Sequence, residues 1–260
     1  FVRVRLHDPS LYRSLVWNPD LKAGEAYMDG TLTIEQGTLR DFLTLFAINR
    51  GVSRKLPIKK PLRRLAKRMK SLWQRNTLVQ SQRNVAHHYD LSNELYGLFL
   101  DSGMNYSCAY FRSPTDTIEE AQQNKLRHIA AKLDLKPGQR VLDIGCGWGG
   151  MAIYLAQNFD VHVTGVTLSK EQLALAQQRA DELGLAHKIS FQFKDYRDVA
   201  GSFDRIVSIG MFEHVGISYF QQYFGKIQSL LAPGGVALVH AIGRKGGPGT
   251  TGKWLRKYIF

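Results

Sequence analysis

Proline, cysteine and, over one long stretch, acidic residues are what this sequence has little of. Eight prolines in 260 residues, beside 44% hydrophobic and 22% charged residues, exclude collagen-like, low-complexity and disordered chains and allow a sizeable buried core. Cys108 and Cys146 are the two cysteines. They cannot form a disulfide framework, and without a CxxC pair no metal site is expected. A reduced, cytosolic compartment follows as the expectation. No uninterrupted apolar run is long enough to span a bilayer, and no signal-like N-terminus is seen. The chain begins at Phe1 and not at Met, so segments preceding it stay open.

From Phe42 to Tyr89 there is no Asp or Glu at all. That span carries Arg50, Arg54, Lys55, Lys59, Lys60, Arg63, Arg64, Lys67, Arg68, Lys70, Arg75 and Arg83, nearly the whole of the net charge of +13. A segment of this kind meets an anionic surface: nucleic acid, acidic lipid or an acidic substrate. Within it, Leu62, Leu65, Ala66, Met69, Leu72 and Trp73 step by three and four, which predicts a helix opened by Pro61 with its opposite face basic. Two readings stay open. The helix lies at an anionic membrane with Trp73 on its apolar side, or it is a surface helix docked on the core.

Val2, Val4 and Leu6 alternate with Arg3 and Arg5, the pattern of an edge strand. GEAYMDGTLTIEQG reads as turns around a short strand, and LRDFLTLFAIN as a helix. Residues 1–75 are thus expected to form a small N-terminal domain ending in the basic helix. Residues 76–136 read as a helical cap: Ser92 suits the cap of a helix starting at Asn93, with Gly103 after its end. Thr117 to Leu133 reads as a second helix. The adjacent His87 and His88 point apart and make a poor metal pair.

From Arg140 the pattern becomes strand, helix, strand. RVLDI, VHVTGV, ISFQF, FDRIVSIG and GVALVHAI alternate with helical stretches, which predicts a parallel doubly wound sheet over residues 137–260. Five strands are legible, so the C-terminal part of the sheet is expected to be missing. GCGWGG falls between the first of these strands and its helix, where glycines admit a ligand to the backbone. Read literally it satisfies GxGxxG, and a dinucleotide site is an alternative. The second strand ends GVTLS, without the ribose-binding acid that a dinucleotide fold wants. Asp143 before the glycines and LLAPGG before the fifth strand look instead like S-adenosylmethionine methyltransferases.

YSCAYF, VLDIGCGWGG, GVTLSKEQ and FDRIVSIGMFEHVG, in this order, resemble the cyclopropane-fatty-acyl-phospholipid synthases and their mycolic-acid relatives. The likeness runs from GEAYMDG to GKWLRKYIF. It implies a Rossmann-like class I methyltransferase fold and the transfer of a methylene from S-adenosylmethionine to the C=C bond of unsaturated phospholipid acyl chains. It also implies a site. Tyr106 and Ser107 close over the methionine end of the cofactor. Asp143, Gly145, Cys146, Gly147 and Trp148 form its cradle, Thr167, Leu168 and Gln172 hold the ribose, and Tyr196 and Arg197 meet the adenine, where relatives carry Trp-Glu. The family's base is a bound bicarbonate ion, whose contacts map to Cys108 (through its backbone), Glu213, His240 and Ile242. A further tyrosine ligand and a cysteine of the family would fall beyond Phe260.

Tyr106, Tyr110, Phe111, Phe212 and Tyr219 are the aromatic residues near the expected site, able to stabilise a cation by their quadrupoles or simply to pack. The expected partners are an anionic membrane surface, peripherally and at its inner face, and unsaturated acyl chains as substrate. Nucleic acid is not expected, and a homodimer is left open. Two other readings compete. One is a methyltransferase that acts on another lipid or small molecule without ring closure. The other is a nucleic-acid or membrane-binding protein on an inert scaffold, against which the intact glycine motif argues.

The basic helix gives a direct test. Each cation near an anionic surface contributes about 1 kcal/mol, screened by salt. Replacing Arg63, Arg64, Lys67 and Arg68 by Gln should therefore weaken sedimentation with anionic vesicles strongly and leave binding to neutral ones nearly unchanged. Equal binding of the variant and wild type to anionic vesicles would make the helix a docked structural element.

Overall fold

The computed structural model describes residues 1–54, 93–243, 245–246 and 252–258. The expected helix at 61–75, the cap at Ser92 and the His87–His88 pair lie outside the described residues. The chain divides into two compact units, Phe1–Trp73 with Pro248–Phe260, and Gln74–Gly247.

In the first unit, β1 (Arg3–Leu6) pairs antiparallel with β2 (Leu32–Gln36). Helices α1 (Ser10–Trp17), α2 (Pro19–Met28) and α3 (Leu39–Arg54) accompany them, around a core of Leu11, Ala23, Ala26, Leu32 and Phe42. Residues 24–28, expected as a turn, are instead the second half of α2, which Pro19 opens from its first position. A Cβ at Gly24 would stand 2.5 Å from the Trp254 indole nitrogen, so this glycine admits a close neighbour and does not break the helix. The turn falls later, at Gly30 with φ +71°. Trp254 belongs to the short helix Lys253–Tyr258. Glu25 accepts from Lys22, Lys257 and Tyr258, and the two ammonium groups hold its carboxyl down at about 2.

The second unit opens with α4 (Asn93–Gly97) and α5 (Ile118–Leu133). It continues as β3 (Gln139–Ile144), α6 (Gly150–Asn158), β4 (Val161–Thr167), α7 (Lys170–Glu182) and β5 (Ile189–Phe193). After β6 (Phe203–Ile209), α8 (Phe220–Leu230) leads into β7 (Leu231–His240). All pairings in this five-stranded sheet are parallel, in the order β5-β4-β3-β6-β7. Burial on both faces explains the near-continuous apolar runs of the inner strands β3, β4 and β6, whereas β7 is largely half-buried or exposed. LLAPGG does not precede the last strand as expected. β7 already starts at Leu231, opposite Phe203, and the next pair is Arg205 with Val236, so the intervening residues loop out as a bulge.

Alternation along β3 divides the core. Val141 joins Val163, Val207, Leu126, Ile129, Leu155 and Ala176 on one face. Leu142 and Ile144 join Ile206, Tyr223, Ile227 and Leu230 on the other. Asp143 therefore falls on the face that α5 covers. Helix α5 begins with a capping box, in which Thr117 and Glu120 satisfy each other's backbone N–H groups.

At its far end, α5 is held by Arg205 of β6, 6% exposed. The guanidinium donates to the carbonyls of Leu133, Asp134 and Asp204. Those carbonyls include helix-terminal groups that lack an intrahelical partner. Arg205→Met would leave them buried and unpaired, at a cost of about 1–3 kcal/mol, read as a lower denaturant midpoint with an unchanged slope. A midpoint equal to wild type would count against the clamp.

Candidate active site

In an order of this kind the winding reverses between β3 and β6, and the crevice outside their carboxyl ends is where doubly wound sheets bind ligands. The loops after these two strands meet there. A Cβ at Gly145 (φ +76°) would come within 2.9 Å of Met211. Gly147 also has positive φ, +55°, yet its Cβ would meet nothing within 4 Å. Backbone conformation disfavours a side chain at Gly147 while the space beside it stays open, as a ligand cradle requires.

The rest of the cradle is tied down from several sides. Gly145 and Cys146 donate their N–H groups to the Val166 carbonyl. Trp148 is buried, packs its ring on Tyr96 at 4.7 Å and donates its indole N–H to Asn93 at 2.7 Å. Arg179 of α7 donates to the carbonyls of Trp148 (2.7 Å) and Gly103 (3.1 Å). That joins the glycine loop to the segment leading into Tyr106–Ser107–Cys108. Gln122 of α5 holds the same segment through the carbonyls of Asn105 and Ser107. Tyr106 is half-exposed and sits edge-on to Tyr96 and Phe99. Of this apparatus, sequence reasoning missed Arg179, Gln122, Tyr96 and Phe99. Their roles rest on contacts between positions far apart in the chain, with only the aromatic density of 89–111 as a signal.

Asp143 is strongly perturbed. It is 2% exposed and its Oδ2 has no hydrogen-bond partner among the described residues. Burial pushes its carboxyl up to about 7, with Lys125 acting the other way. Burial, helped by Asp143, also drives the Cys146 thiol up. A buried carboxylate oxygen lacking a donor, next to an open glycine loop, fits a ligand bearing ammonium or hydroxyl groups. S-adenosylmethionine carries both.

Thr167 and Gln172 are buried and bonded to each other at 2.9 Å, with Leu168 between β4 and α7 half-buried. Arg197 is held by Asp195, which accepts from its guanidinium at 2.8 and 2.7 Å. Tyr196 stands edge-on to Tyr223, and burial raises its hydroxyl pKa. Asp195 was not expected, although it is the buried partner that fixes this pair.

A second polar group lies at the ends of β6 and β7. Glu213, in the 3-10 turn Phe212–His214, accepts the N–H of Ile242 at 2.7 Å through Oε1. Its Oε2 and the His240 Nδ1 are buried without a hydrogen-bond partner among the described residues. Ile242 lies two residues past His240, so one strand end brings Glu213, His240 and Ile242 together. Cys108 is exposed and sits on the Tyr106 loop. From α8, Tyr223 faces Ser208 and Glu213, and burial pushes its hydroxyl up to about 12. Among the other expected aromatics, Phe212 stacks on Phe220 at 4.3 Å, and Tyr110 stacks on His128 at 4.9 Å.

Residues 76–260 match the mycolic acid cyclopropane synthetase family. The chain belongs to that family. It is 41% identical over 263 residues to the cyclopropane-fatty-acyl-phospholipid synthase of Escherichia coli (strain K12), covering 99% of this chain and 65% of that enzyme. The chain thus spans about two thirds of that relative's length. The cyclopropane synthase MmaA2 from Mycobacterium tuberculosis superposes with a TM-score of 0.60 at 41% identity, over 62% of this chain and 56% of that one. Mycolic acid cyclopropane synthase CmaA1, complexed with SAH and CTAB, gives 0.59 at 39% identity, over 61% and 55%. These family members share the Rossmann-like class I methyltransferase fold seen in residues 137–240.

The family cradle carries a pH signature in the ligand-free protein. Asp143 binds its proton more tightly folded than unfolded, where the ordinary value is 3.8. Its contribution to stability is therefore full below about pH 4 and is lost as pH rises through about 7. Asp143→Asn should melt above wild type at pH 8, by at least ~3 °C, the shift per kcal/mol for a chain of this size. The gap should close as pH falls to 4. A gap that does not change with pH would contradict a carboxyl held protonated.

Proposed function

We propose that this chain transfers a methylene from S-adenosylmethionine to the C=C bond of unsaturated phospholipid acyl chains, closing a cyclopropane, with bicarbonate as the bound proton acceptor. One observation carries the reading: at the carboxyl ends of β6 and β7, Glu213 Oε2 and His240 Nδ1 are both buried without a hydrogen-bond partner among the described residues, and the Ile242 N–H ties Glu213 to the end of the His240 strand. A small oxyanion that both accepts and donates would satisfy both atoms.

When bound, the two groups supply an electrophilic methyl on a sulfonium and a basic oxygen. The residues do the rest. Asp143, Gly145, Cys146, Gly147 and Trp148 cradle the cofactor, with Tyr106 and Ser107 over its methionine end. Thr167, Leu168 and Gln172 shape the ribose side, and Tyr196 and Arg197 the adenine side. An alkene is a weak nucleophile, so the site must hold it in line and exclude water that would capture a cation on the acyl chain. The faces of Tyr106 and Phe212 stabilise that positive charge. Glu213 and His240, with the backbone at Cys108 and Ile242, hold the anion where one proton leaves the new methyl and the ring bond forms. Glu213 can do this beside an anion only by sharing a proton with it.

Residues 1–75, with the basic helix, would meet the anionic inner face of the membrane. Residues 76–136 would cap the site and 137–260 bind the cofactor. Among the described residues no helix is long and apolar enough to cross a membrane, so contact with lipid would be peripheral. Homodimer formation is compatible with this arrangement.

Incubation with unsaturated phospholipid vesicles and labelled cofactor tests the reaction. Ring closure adds one CH2 and removes the alkene, whereas simple methylation keeps an alkene, and ozonolysis of the product separates the two. Glu213→Gln should keep its affinity for S-adenosylhomocysteine and slow turnover by roughly 10²–10⁴, the usual range for general-base work. Added bicarbonate should recover part of the loss. Wild-type turnover in the variant would refute the anion site.

A further inference from the structure

Lys125 has no part in the reading above, yet it is among the most buried cations of the second unit, 4% exposed. It rises from α5 on the helix face that also presents Gln122, Leu126 and Ile129 to the sheet. Its ammonium donates to the Ser107 hydroxyl at 2.8 Å, while Gln122, one turn earlier, holds the Ser107 carbonyl at 3.0 Å. Strand alternation sets Asp143 on the same face of the sheet, and the two charges act on each other. An ammonium has three protons to place. One goes to Ser107, and the charge of the ammonium also acts on Asp143, whose buried Oδ2 has no hydrogen-bond partner among the described residues.

We propose that Lys125 is a positioning residue for the cofactor: its ammonium couples the Ser107 loop to the Asp143 cradle, so that both sides of the site hold their binding geometry only while Lys125 is protonated. The inference rests on the cofactor site proposed above. Without this cation, Ser107 would lose its donor, and Asp143 would lose the charge that favours its ionised, ligand-accepting form.

The surroundings make the device sensitive near neutral pH. Burial lowers Lys125 to about 8, against the opposing pull of Asp101, Cys108 and Asp143. Asp101 is shared, since it also accepts from Asn105 and acts on Arg179 of α7. Tyr154 of α6, His240 of β7 and Arg205 of β6, which donates to the Leu133 carbonyl, are the titratable or charged groups on the other elements that touch α5. Above about pH 8 the coupling should fail while the fold persists.

The test is calorimetric titration of the whole chain with S-adenosylhomocysteine between pH 6.5 and 9.5, for wild type, Lys125→Met and Lys125→Arg. At pH 7, Lys125→Met should bind about tenfold more weakly, the usual loss for a hydrogen bond to a charged group. Lys125→Arg keeps a permanent charge and should stay within about threefold of wild type. Wild-type affinity should fall more steeply than either variant's as pH passes 8, and the two variants should share the shallower limb set by the ligand. The ligand's own ammonium titrates alike in all three proteins, so the comparison isolates Lys125. Equal affinity of Lys125→Met and wild type would overturn the proposal. So would a weak Lys125→Met whose pH profile runs parallel to wild type, because a merely structural lysine would behave that way. If Lys125→Met fails to fold by circular dichroism, wild type against Lys125→Arg decides, and identical alkaline limbs overturn the proposal. Wild type that binds no ligand at any pH would refute the cofactor site itself, and the inference with it.

Discussion

Between β3 and β6 two chain segments that are neighbours in the sheet leave it in opposite directions of winding, and the site grows from that parting. Right-handed crossovers send α6 and α7 to one face and α8 to the other, as the two core clusters record. The loops that follow β3 and β6 are therefore free to face one another across a crevice. Gly145 lets them approach until only a hydrogen fits between it and Met211. A larger residue there would push apart the loops after β3 and β6.

The same geometry explains a buried carboxylate that the fold alone would not favour. Val141, Leu142 and Ile144 around it are at most 1% exposed, and an apolar residue at 143 would extend that core. Asp143 costs desolvation, partly offset by Lys125, and one of its oxygens has no partner. Burying a charge without full hydrogen bonding is unfavourable. A ligand's donor would complete such a position, which is why Asp143 supports the proposed cofactor site.

Much of this was legible in the chain. The five parallel strands follow from apolar runs bounded by glycine and polar turns, and the α5 start from the Thr117–Glu120 spacing. The cradle follows from GCGWGG after RVLDI. What the sequence hid depended on distant partners. Gly24 reads as a turn residue, but its neighbour is Trp254, some 230 positions away. The bulge before Val236 arises because β7 must start opposite Phe203, a register invisible in one strand. Lys125 looks like any lysine on an amphipathic helix, and only the Ser107 loop folding over it reveals its burial. Motifs are local and survive in sequence, whereas the polar groups that brace them come from other elements.

Those braces come from opposite sides of the sheet. Lys125 and Gln122 reach the Tyr106–Cys108 loop from α5, on the face of Val141 and Asp143. Tyr223 comes from α8, on the face of Ile206, and stands against Ser208 and Glu213. α5 thus braces the Tyr106–Cys108 loop and also packs on β7, while α8 brings Tyr223 to the Glu213 side. What unites the two sides is the sheet edge, where the Gly210 N–H donates to the His240 carbonyl and Ile242 donates to Glu213. A change at Lys125 should therefore be felt first at the Ser107 loop, and a change at Tyr223 first at Glu213. Both braces act through the sheet, because the parallel strands β6 and β7 carry the residues that meet at its edge.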